Sequence, residues 1–248
     1  MKTIYINSVN AILPSRGEEP DYKAVIRDAN LRRRMSRIVK IGVASALQCL
    51  EPVCMHPDAI VTATALGCLA DSEKFMSDLL DRDEDMLNPT AFIQSVFNTV
   101  GAQTALLNGI KSYNMTYVNR GSSFSSALLD ALMLVSEGRH NVLVEAFDEV
   151  IPVSEDILRR LGKWNGAVEG AVSFLLSDSP CGDRSVALTD VRVNGCTDAG
   201  RVYDSMDWAV RMYDAVCSIL DGKEENIRLS LPMADIVLSA YSLKSYSH

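Results

Sequence analysis

Short apolar runs alternate with segments of helical period along most of this chain, and this alternation limits the folds open to it. The runs 59–66 and 141–147 are continuous and apolar, which is typical of buried parallel strands. The segments 32–50 and 122–138 place apolar or small residues every three or four positions, as one face of a helix does. We therefore predict a layered α-β-α domain of the α/β class, with a mainly parallel sheet.

The same patterns predict the other elements of a single domain over residues 1–248, since neither an internal repeat nor a linker is visible. Alternating or apolar runs predict further strands at 3–12, 113–119, 167–176, 186–193 and 234–239. Helical spacing predicts further helices after Asp71 or Ser72 and over 90–110, 154–161 and 203–220.

Charge and composition exclude several classes of function. The net charge of −8 and the pI near 4.9 have the wrong sign for general nucleic-acid binding. No apolar run approaches the ~18 residues of a membrane span, and Asn7, Ser8 and Asn10 interrupt the start where a signal peptide would be greasy. We expect a cytoplasmic protein with reduced thiols, no membrane contact, no cofactor and no metal, since the six cysteines and three histidines fit no metal pattern.

The most informative stretch runs from strand to tight turn to helix and on to the next strand. A predicted strand at 113–119 is followed by Arg120 and Gly121, and a predicted helix begins at Ser122. Such an elbow exposes one side chain at a helix N-terminus, where the helix dipole and free N–H groups stabilise an anion. We expect any reactive group to lie here.

These residues resemble the β-ketoacyl synthase family, the condensing enzymes of fatty-acid and polyketide synthesis, which have the thiolase-like fold. In that family the elbow carries a cysteine followed by small residues and an alanine-rich helix. The matching positions here are Ser122, Ser123, Ala127, Leu128 and Ala131, the turn 146–150, and the segments 32–47, 62–67 and 166–177. The resemblance covers nearly the whole chain but only the N-terminal part of a full-length synthase.

The departures from the family decide the expected activity. Gly121 falls where the family has its acyl-accepting cysteine, and Tyr241 falls where it has its first active-site histidine. The sequence also ends at His248, before the family's lysine and second histidine. The resemblance thus implies a synthase relative without the thiolate and the imidazoles that condensation needs.

We interpret the chain as an accessory, chain-length-factor-like subunit of fatty-acid or polyketide synthesis, of the aryl polyene type. The resemblance implies an intact ketosynthase and an acyl carrier protein as partners, in a homo- or heterodimer formed through 113–119. The expected acyl-cavity or interface residues are Met115, Asn119, Arg120 and Phe124, and the expected carrier contacts are Arg32, Arg33, Arg34 and Arg37.

Two alternatives remain open at this point. Ser122 or Ser123 could replace the nucleophile in an acyl transferase or hydrolase, although serine is also a common helix cap. The chain could instead be a non-enzymatic homo-oligomer whose cleft is filled by Arg120 and Phe124. A further stripe at helical spacing is predicted to face the core, with an acyl tunnel as the alternative: Phe92, Ile93, Val96, Phe97 and Val100.

Overall fold

A mixed sheet forms the centre of the computed structural model, which describes residues 3–241 except 18, 54, 82–84, 86, 88, 163, 165, 167, 183–184 and 195–203. The described residues contribute eight strands to it, in the order β3-β2-β4-β5-β1-β6-β8-β7. They are β1 (Ile4–Ile12), β2 (Ala59–Ala63), β3 (Tyr113–Tyr117), β4 (Asn141–Asp148), β5 (Gly170–Ser177), β6 (Val186–Val193), β7 (Asn226–Ser230) and β8 (Ala234–Ala240).

The layered α/β fold is confirmed, but the strand directions differ from a mainly parallel sheet. The strand β2 pairs in parallel with β3 and β4, whereas the other neighbouring pairs of described strands are antiparallel. Burial explains the difference, because a strand covered on both faces is apolar throughout whichever way its neighbour runs. The apolar pattern therefore predicted the strands correctly and left their direction undetermined.

Helices cover both faces of the sheet. They are α1 (Tyr22–Val25), α2 (Ala29–Arg34), α3 (Arg37–Leu50), α4 (Leu69–Asp81), α5 (Pro89–Ser95), α6 (Thr99–Leu107), α7 (Ser123–Ser136), α8 (Pro152–Arg160) and α9 (Asp204–Leu220). The helices α7 and α9 pack together on one face, and α3 and α6 pack on the other. Within the described ranges, no helix combines the length and the apolar character needed to cross a membrane.

The helix predicted over 32–50 is broken at Met35 and Ser36. The helix α2 has its own start, because the Asp28 carboxylate accepts hydrogen bonds from the backbone N–H groups of Asn30 (2.8 Å) and Leu31 (3.0 Å). Met35 ends it in an extended conformation and is buried, and α3 begins after Ser36. Two helices thus replace the single predicted one.

The helix predicted over 90–110 also divides, into α5 and α6, and this corrects the expected core stripe. Only Val100 of that stripe is buried. The other four side chains are about half exposed on or just after α5, and we call them the α5 patch: Phe92, Ile93, Val96 and Phe97. Because α5 and α6 are separate helices, the apolar residues of the stripe do not all face the same core.

Candidate functional site

Three parallel strands deliver their following loops to one end of the sheet. The turn 64–67 follows β2, the elbow 119–122 follows β3, and Asp148 with Glu149 closes β4. A backbone hydrogen bond from the Thr64 N–H to the Tyr117 carbonyl (3.1 Å) joins the first two loops. This end of the sheet is where the predicted site residues are expected to meet.

The elbow is a strained turn closed by a serine. Arg120 has a φ of 48°, and it is the one non-glycine residue with a left-handed backbone in the described part of the chain. The Ser123 hydroxyl oxygen accepts from the Asn119 N–H (2.7 Å) and donates to the Arg120 carbonyl (2.8 Å). Because the chain turns this sharply, α7 starts directly behind the end of β3.

The helix that follows the elbow has no exposed nucleophile at its start. Gly121 has no side chain, and Ser122 and Ser123 are fully buried. The Phe124 N–H, in the first turn of α7, donates to the Ser205 hydroxyl (3.0 Å) at the start of α9. The donors and hydroxyl groups that could serve an acyl group are thus buried or used within the chain.

The described histidines lie at the other end of the sheet. His140 directly precedes β4, where its exposed ring contacts the Asp178 carboxylate at 3.0 Å, as expected for a surface loop residue. His56 precedes β2, which runs parallel to β4. In the ranges that the structure describes, no imidazole adjoins the elbow to act as a general base.

Tyr241 does not lie beside the elbow, which corrects the position carried over for the family's histidine. Its ring contacts Tyr5 at 5.2 Å, next to the far end of β8. The β7–β8 turn reaches α7 instead, since the Ser126 hydroxyl lies 3.1 Å from the Met233 sulfur. At ~3.3 Å per strand residue, Tyr241 is about 25 Å further along the chain. The assignment came from the resemblance of 234–243 to the strand that leads into the family's histidine, and that resemblance does not fix where the strand ends in space.

The predicted cavity or interface residues divide into exposed and buried groups. Met115 is 42% exposed, and Asn119 and Arg120 are also exposed. Phe124 is fully buried in the core, where its ring lies 5.7 Å from that of Phe174. The first turn of α7 points Phe124 into the core, so it adds no exposed surface to an interface, and its role in lining a cavity stays a prediction.

The strand β3 is an open edge of the sheet. On its outer side no other described strand pairs with it. The Tyr113 hydroxyl donates to the Asp130 carboxylate of α7 at 2.9 Å, and burial together with this carboxylate raises the pKa of Tyr113 to about 12. Met115 and Val118 remain 42% exposed beside this anchored tyrosine.

The four predicted carrier contacts do not form one free basic cluster. The Arg32 guanidinium donates to the Ile26 carbonyl, and Arg33 donates to the Ala29 carbonyl (3.1 Å) and the Asn30 side chain (2.6 Å). Arg34 is exposed. All three occupy the last turn of α2, where a helix dipole favours cations, rather than the helix N-terminus expected from the sequence.

Arg37 differs from the other three because it is held by two carboxylates. Its guanidinium lies 2.6 Å from Glu19 and 2.5 Å from Glu169. These contacts raise the pKa of the Arg37 guanidinium against an opposing effect of burial. This arginine ties the loop before α1 to the segment before β5, so its charge is largely compensated within the chain.

Two buried carboxyl groups near the elbow were missed by the sequence analysis. Asp148 accepts from the Thr64 hydroxyl (2.7 Å) and from the backbone N–H groups of Ala65 (2.8 Å) and Leu66 (3.2 Å). Burial raises the pKa of Asp148 to about 7, although these donors act in the opposite direction. Burial also raises the pKa of Glu149 to about 7. Two acids directly after an apolar strand were the available signal.

These carboxyl groups hold the loops together. Asp148 fixes the turn 64–67, and Glu149 accepts from the Ala70 N–H (2.9 Å) in the first turn of α4. The described residues include no group of three histidine, cysteine, aspartate or glutamate side chains placed to hold a metal ion.

A comparison with protein families places most of the chain in one of them. The family model described as "Beta-ketoacyl synthase, N-terminal domain" matches residues 7–183, which is more than half of the chain. No curated protein matches the sequence significantly.

Solved structures show the same fold over the whole length of the matched chains. A chain of the ketosynthase (ApeO) in complex with its chain length factor (ApeC) from Xenorhabdus doucetiae matches with a TM-score of 0.65 and 19% identity, over 96% of this chain and 99% of that one. A chain of the ishigamide ketosynthase/chain length factor matches with a TM-score of 0.73 and 14% identity, over 97% and 100%.

A third match is a chain of AntDE:AntF, a type II polyketide acyl-carrier protein in complex with its ketosynthase. Its TM-score is 0.79 at 13% identity, and the alignment covers 97% of this chain and 100% of that one. At these identities the likeness is one of fold.

Proposed function

We propose that this chain is a non-condensing, chain-length-factor-like subunit of polyketide or fatty-acid synthesis. The premise is that the chain belongs to the β-ketoacyl synthase family. One observation carries the proposal: the family's elbow is built here without a reactive group. Gly121 has no side chain, and Ser122 and Ser123 are fully buried. No described histidine adjoins them, and this supports a chain that does not carry out condensation by itself.

The partner that we propose is an intact ketosynthase, bound through the edge of β3. An unpaired edge strand is a template for a strand of another chain. The flanking side chains of Met115 and Val118 are 42% exposed, so they offer apolar surface beside the unpaired backbone. Two of the matched structures are described as a ketosynthase with a chain length factor, which supports this pairing.

The α5 patch is the surface that would shape the acyl chain. A Cβ atom on Gly67 would lie 2.5 Å from the Phe97 ring, so this member of the patch, just after α5, packs on the turn that follows β2. The patch therefore lies at the same end of the sheet as the elbow. We assign it to a polyketide chain of the aryl polyene type, held between this subunit and the ketosynthase.

The acyl carrier protein is the second proposed partner. Arg33 and Arg34 are exposed on α2 in a chain of net charge −8, so they offer a local positive surface to an acidic carrier. Arg32 and Arg37 lie beside them, and each donates to oxygens of this chain. Arg33 and Arg34 are the contacts of choice because both are exposed, whereas Arg32 is partly buried and Arg37 is held by two carboxylates.

The geometry gives less support to the two alternatives. A serine-dependent transferase or hydrolase needs a hydroxyl that substrate can reach, and Ser123 has its hydroxyl engaged with Asn119 and Arg120. A cleft filled by Arg120 and Phe124 would favour a homo-oligomer without an acyl ligand. Only Phe124 fills the interior, whereas Arg120 is exposed.

Co-purification of the tagged full chain from its native cells, followed by mass spectrometry, tests the proposal. A cysteine-bearing ketosynthase recovered in near-equal amount supports it, and reconstitution of condensation then requires both chains. Recovery of the chain alone as a homodimer contradicts it. Malonyl-carrier decarboxylation by the purified chain that is lost on Ser122→Ala or Ser123→Ala would establish the serine enzyme instead.

A further inference from the structure

Arg120 combines backbone strain with an exposed charge. Its φ of 48° lies in the left-handed region, which glycine adopts freely and which residues with a Cβ atom avoid. The next residue is Gly121, which has a buried position and no need of the left-handed conformation. The strain therefore falls on the residue that carries the long cation rather than on the adjacent glycine.

The surrounding contacts hold Arg120 in this conformation. Its carbonyl accepts from the Ser123 hydroxyl (2.8 Å), and the preceding N–H, of Asn119, donates to the same hydroxyl oxygen (2.7 Å). Strained residues persist where the structure over-determines them, and they concentrate at functional sites. Here the fixed backbone directs one exposed side chain outward at the end of the open strand β3.

The Arg120 guanidinium has no compensating charge among the residues that the structure describes. Among the described residues, no ion pair or hydrogen bond of the Arg120 side chain is found, whereas Arg32, Arg33 and Arg37 each donate to oxygens of this chain. Arg120 also follows two exposed residues, Val118 and Asn119. An unpaired cation at the rim of an apolar edge is complementary to a carboxylate on whatever covers that edge.

We propose that Arg120 is an interchain cation that pairs with a carboxylate of the partner ketosynthase where the partner covers β3. This inference rests on the proposed function and adds a residue and its chemistry to the interface. The elbow, which in the family positions the nucleophile, here positions a charge for recognition of the partner.

A second copy of this chain fits the charge less well. A two-fold antiparallel pairing of β3 centred on Met115 would place Lys111 opposite Asn119 and therefore beside Arg120. Two cations would then face each other at each end of the paired strands, which destabilises the contact. The arrangement favours a different chain as the source of the carboxylate.

The test measures the affinity of the ketosynthase that co-purifies with the chain, using purified full-length proteins. Arg120→Gln keeps the size and removes the charge, Arg120→Lys keeps the charge, and Arg120→Gly removes the side chain while relieving the strain. We expect Arg120→Gln and Arg120→Gly to weaken binding by about tenfold or more, and Arg120→Lys to weaken it less. The unfolding midpoint of isolated Arg120→Gly should equal or exceed that of the wild type, which shows that binding is not lost through misfolding.

The outcomes separate this inference from the proposed function. If the wild type binds and Arg120→Gln binds equally well, Arg120 is not the interchain cation, while the accessory-subunit proposal stands. If the wild type itself does not bind a ketosynthase, the proposed function fails and this inference fails with it. Amide substitution of one ketosynthase carboxylate should lower the affinity for the wild type and leave that for Arg120→Gln unchanged.

Discussion

Glu145, in the middle of β4, is a carboxyl group with both oxygens buried and without a hydrogen-bond partner in the described part of the chain. A Cβ on Gly42 would lie 3.1 Å from one of its oxygens, so α3 packs closely against it. Burial alone raises the pKa of Glu145 well above its ordinary value of 4.5. We therefore expect the folded chain to hold Glu145 as a neutral acid.

Glu145→Gln should make the chain more stable at neutral and alkaline pH and leave its stability at low pH nearly unchanged. A raised pKa means that the folded chain binds the proton more tightly than the unfolded chain, so the free energy of unfolding falls as pH rises above about 4.5. The difference between variant and wild type should approach ~1.4 kcal/mol per pH unit. Urea unfolding from pH 4 to pH 8 measures it.

The exposed Glu137 provides the matched control. Glu137→Gln on the surface makes the same chemical change without burial, so it is the reference against which the effect of Glu145→Gln is measured. A flat difference between Glu145→Gln and the wild type over this range would show that Glu145 is solvated or paired in solution.

For single residues, the sequence gives the chemical type at each position, but it does not give the burial or the contacts of the side chain. The assignment of Gly121 to the family's cysteine position came from the resemblance and stays a prediction. The burial of Glu145 and Asp148 was not foreseen, because an acid in or after an apolar run is compatible with either an exposed or a buried side chain. Tyr241 was misplaced because its assignment rested on the sequence resemblance of 234–243 alone.

The contact between α3 and α6 depends on the absence of a side chain at Gly42. A Cβ there would lie 2.5 Å from a methyl group of Val100, whose branched side chain has little freedom to move. Overpacking costs about 1–3 kcal/mol, which exceeds the ~1 kcal/mol that alanine gains over glycine in a helix. We predict that Gly42→Ala lowers the free energy of unfolding by about 1 kcal/mol.

Chemical denaturation with a matched glycine checks this prediction. Gly17 lies in a loop, and a Cβ added there would have nothing within 4 Å. Gly17→Ala should therefore leave the free energy of unfolding nearly unchanged. Combining Gly42→Ala with Val100→Ala should cost less than the sum of the two single changes, because the second change removes the clash. Strict additivity would place the effect of Gly42 elsewhere.

Strong periodicity predicted the elements well, and local breaks were missed. The strands at 4–12 and 186–193 and the helix at 204–220 agree with prediction to within a residue or so. The strand β7 was not predicted, since its sequence NIRLS carries only two apolar residues on an outer edge. The breaks at 35–36 and 96–98 were hidden because both flanking helices continue an apolar period.

The proposed pairing with a ketosynthase depends on β3, which lies at the edge of the sheet. Met115→Lys should leave the free energy of unfolding of the isolated chain within about 0.5 kcal/mol, since the side chain is 42% exposed. It should weaken ketosynthase binding by about tenfold or more, because lysine is a residue that blocks edge pairing. Calorimetric titration of the two purified proteins measures the affinity, and chemical denaturation of the isolated chain measures the free energy of unfolding.

The strand β6 supplies a control at a distance from this edge. Val193 is 71% exposed, so Val193→Lys adds the same charge to another exposed strand position. Binding that is equally weakened by both changes would reflect net charge rather than the β3 edge.

The strand order shows which features of the whole sheet the sequence predicts and which it leaves undetermined. Apolar runs identify which segments are buried, but strand direction and edge position depend on pairings between distant segments. The resemblance supplied the family and the edge at 113–119, and the half-exposed α5 patch became visible only once α5 and α6 were separated.

An unpaired β3 also bears on the abundance of the protein in the cell. A strand edge flanked by exposed methionine and valine invites non-specific association and recognition by chaperones and proteases when no partner covers it. Under the proposed pairing, the steady-state level of this chain is therefore expected to follow that of the ketosynthase, so that deleting the ketosynthase gene also depletes this chain. Balanced synthesis of the two subunits would then keep the β3 edge covered.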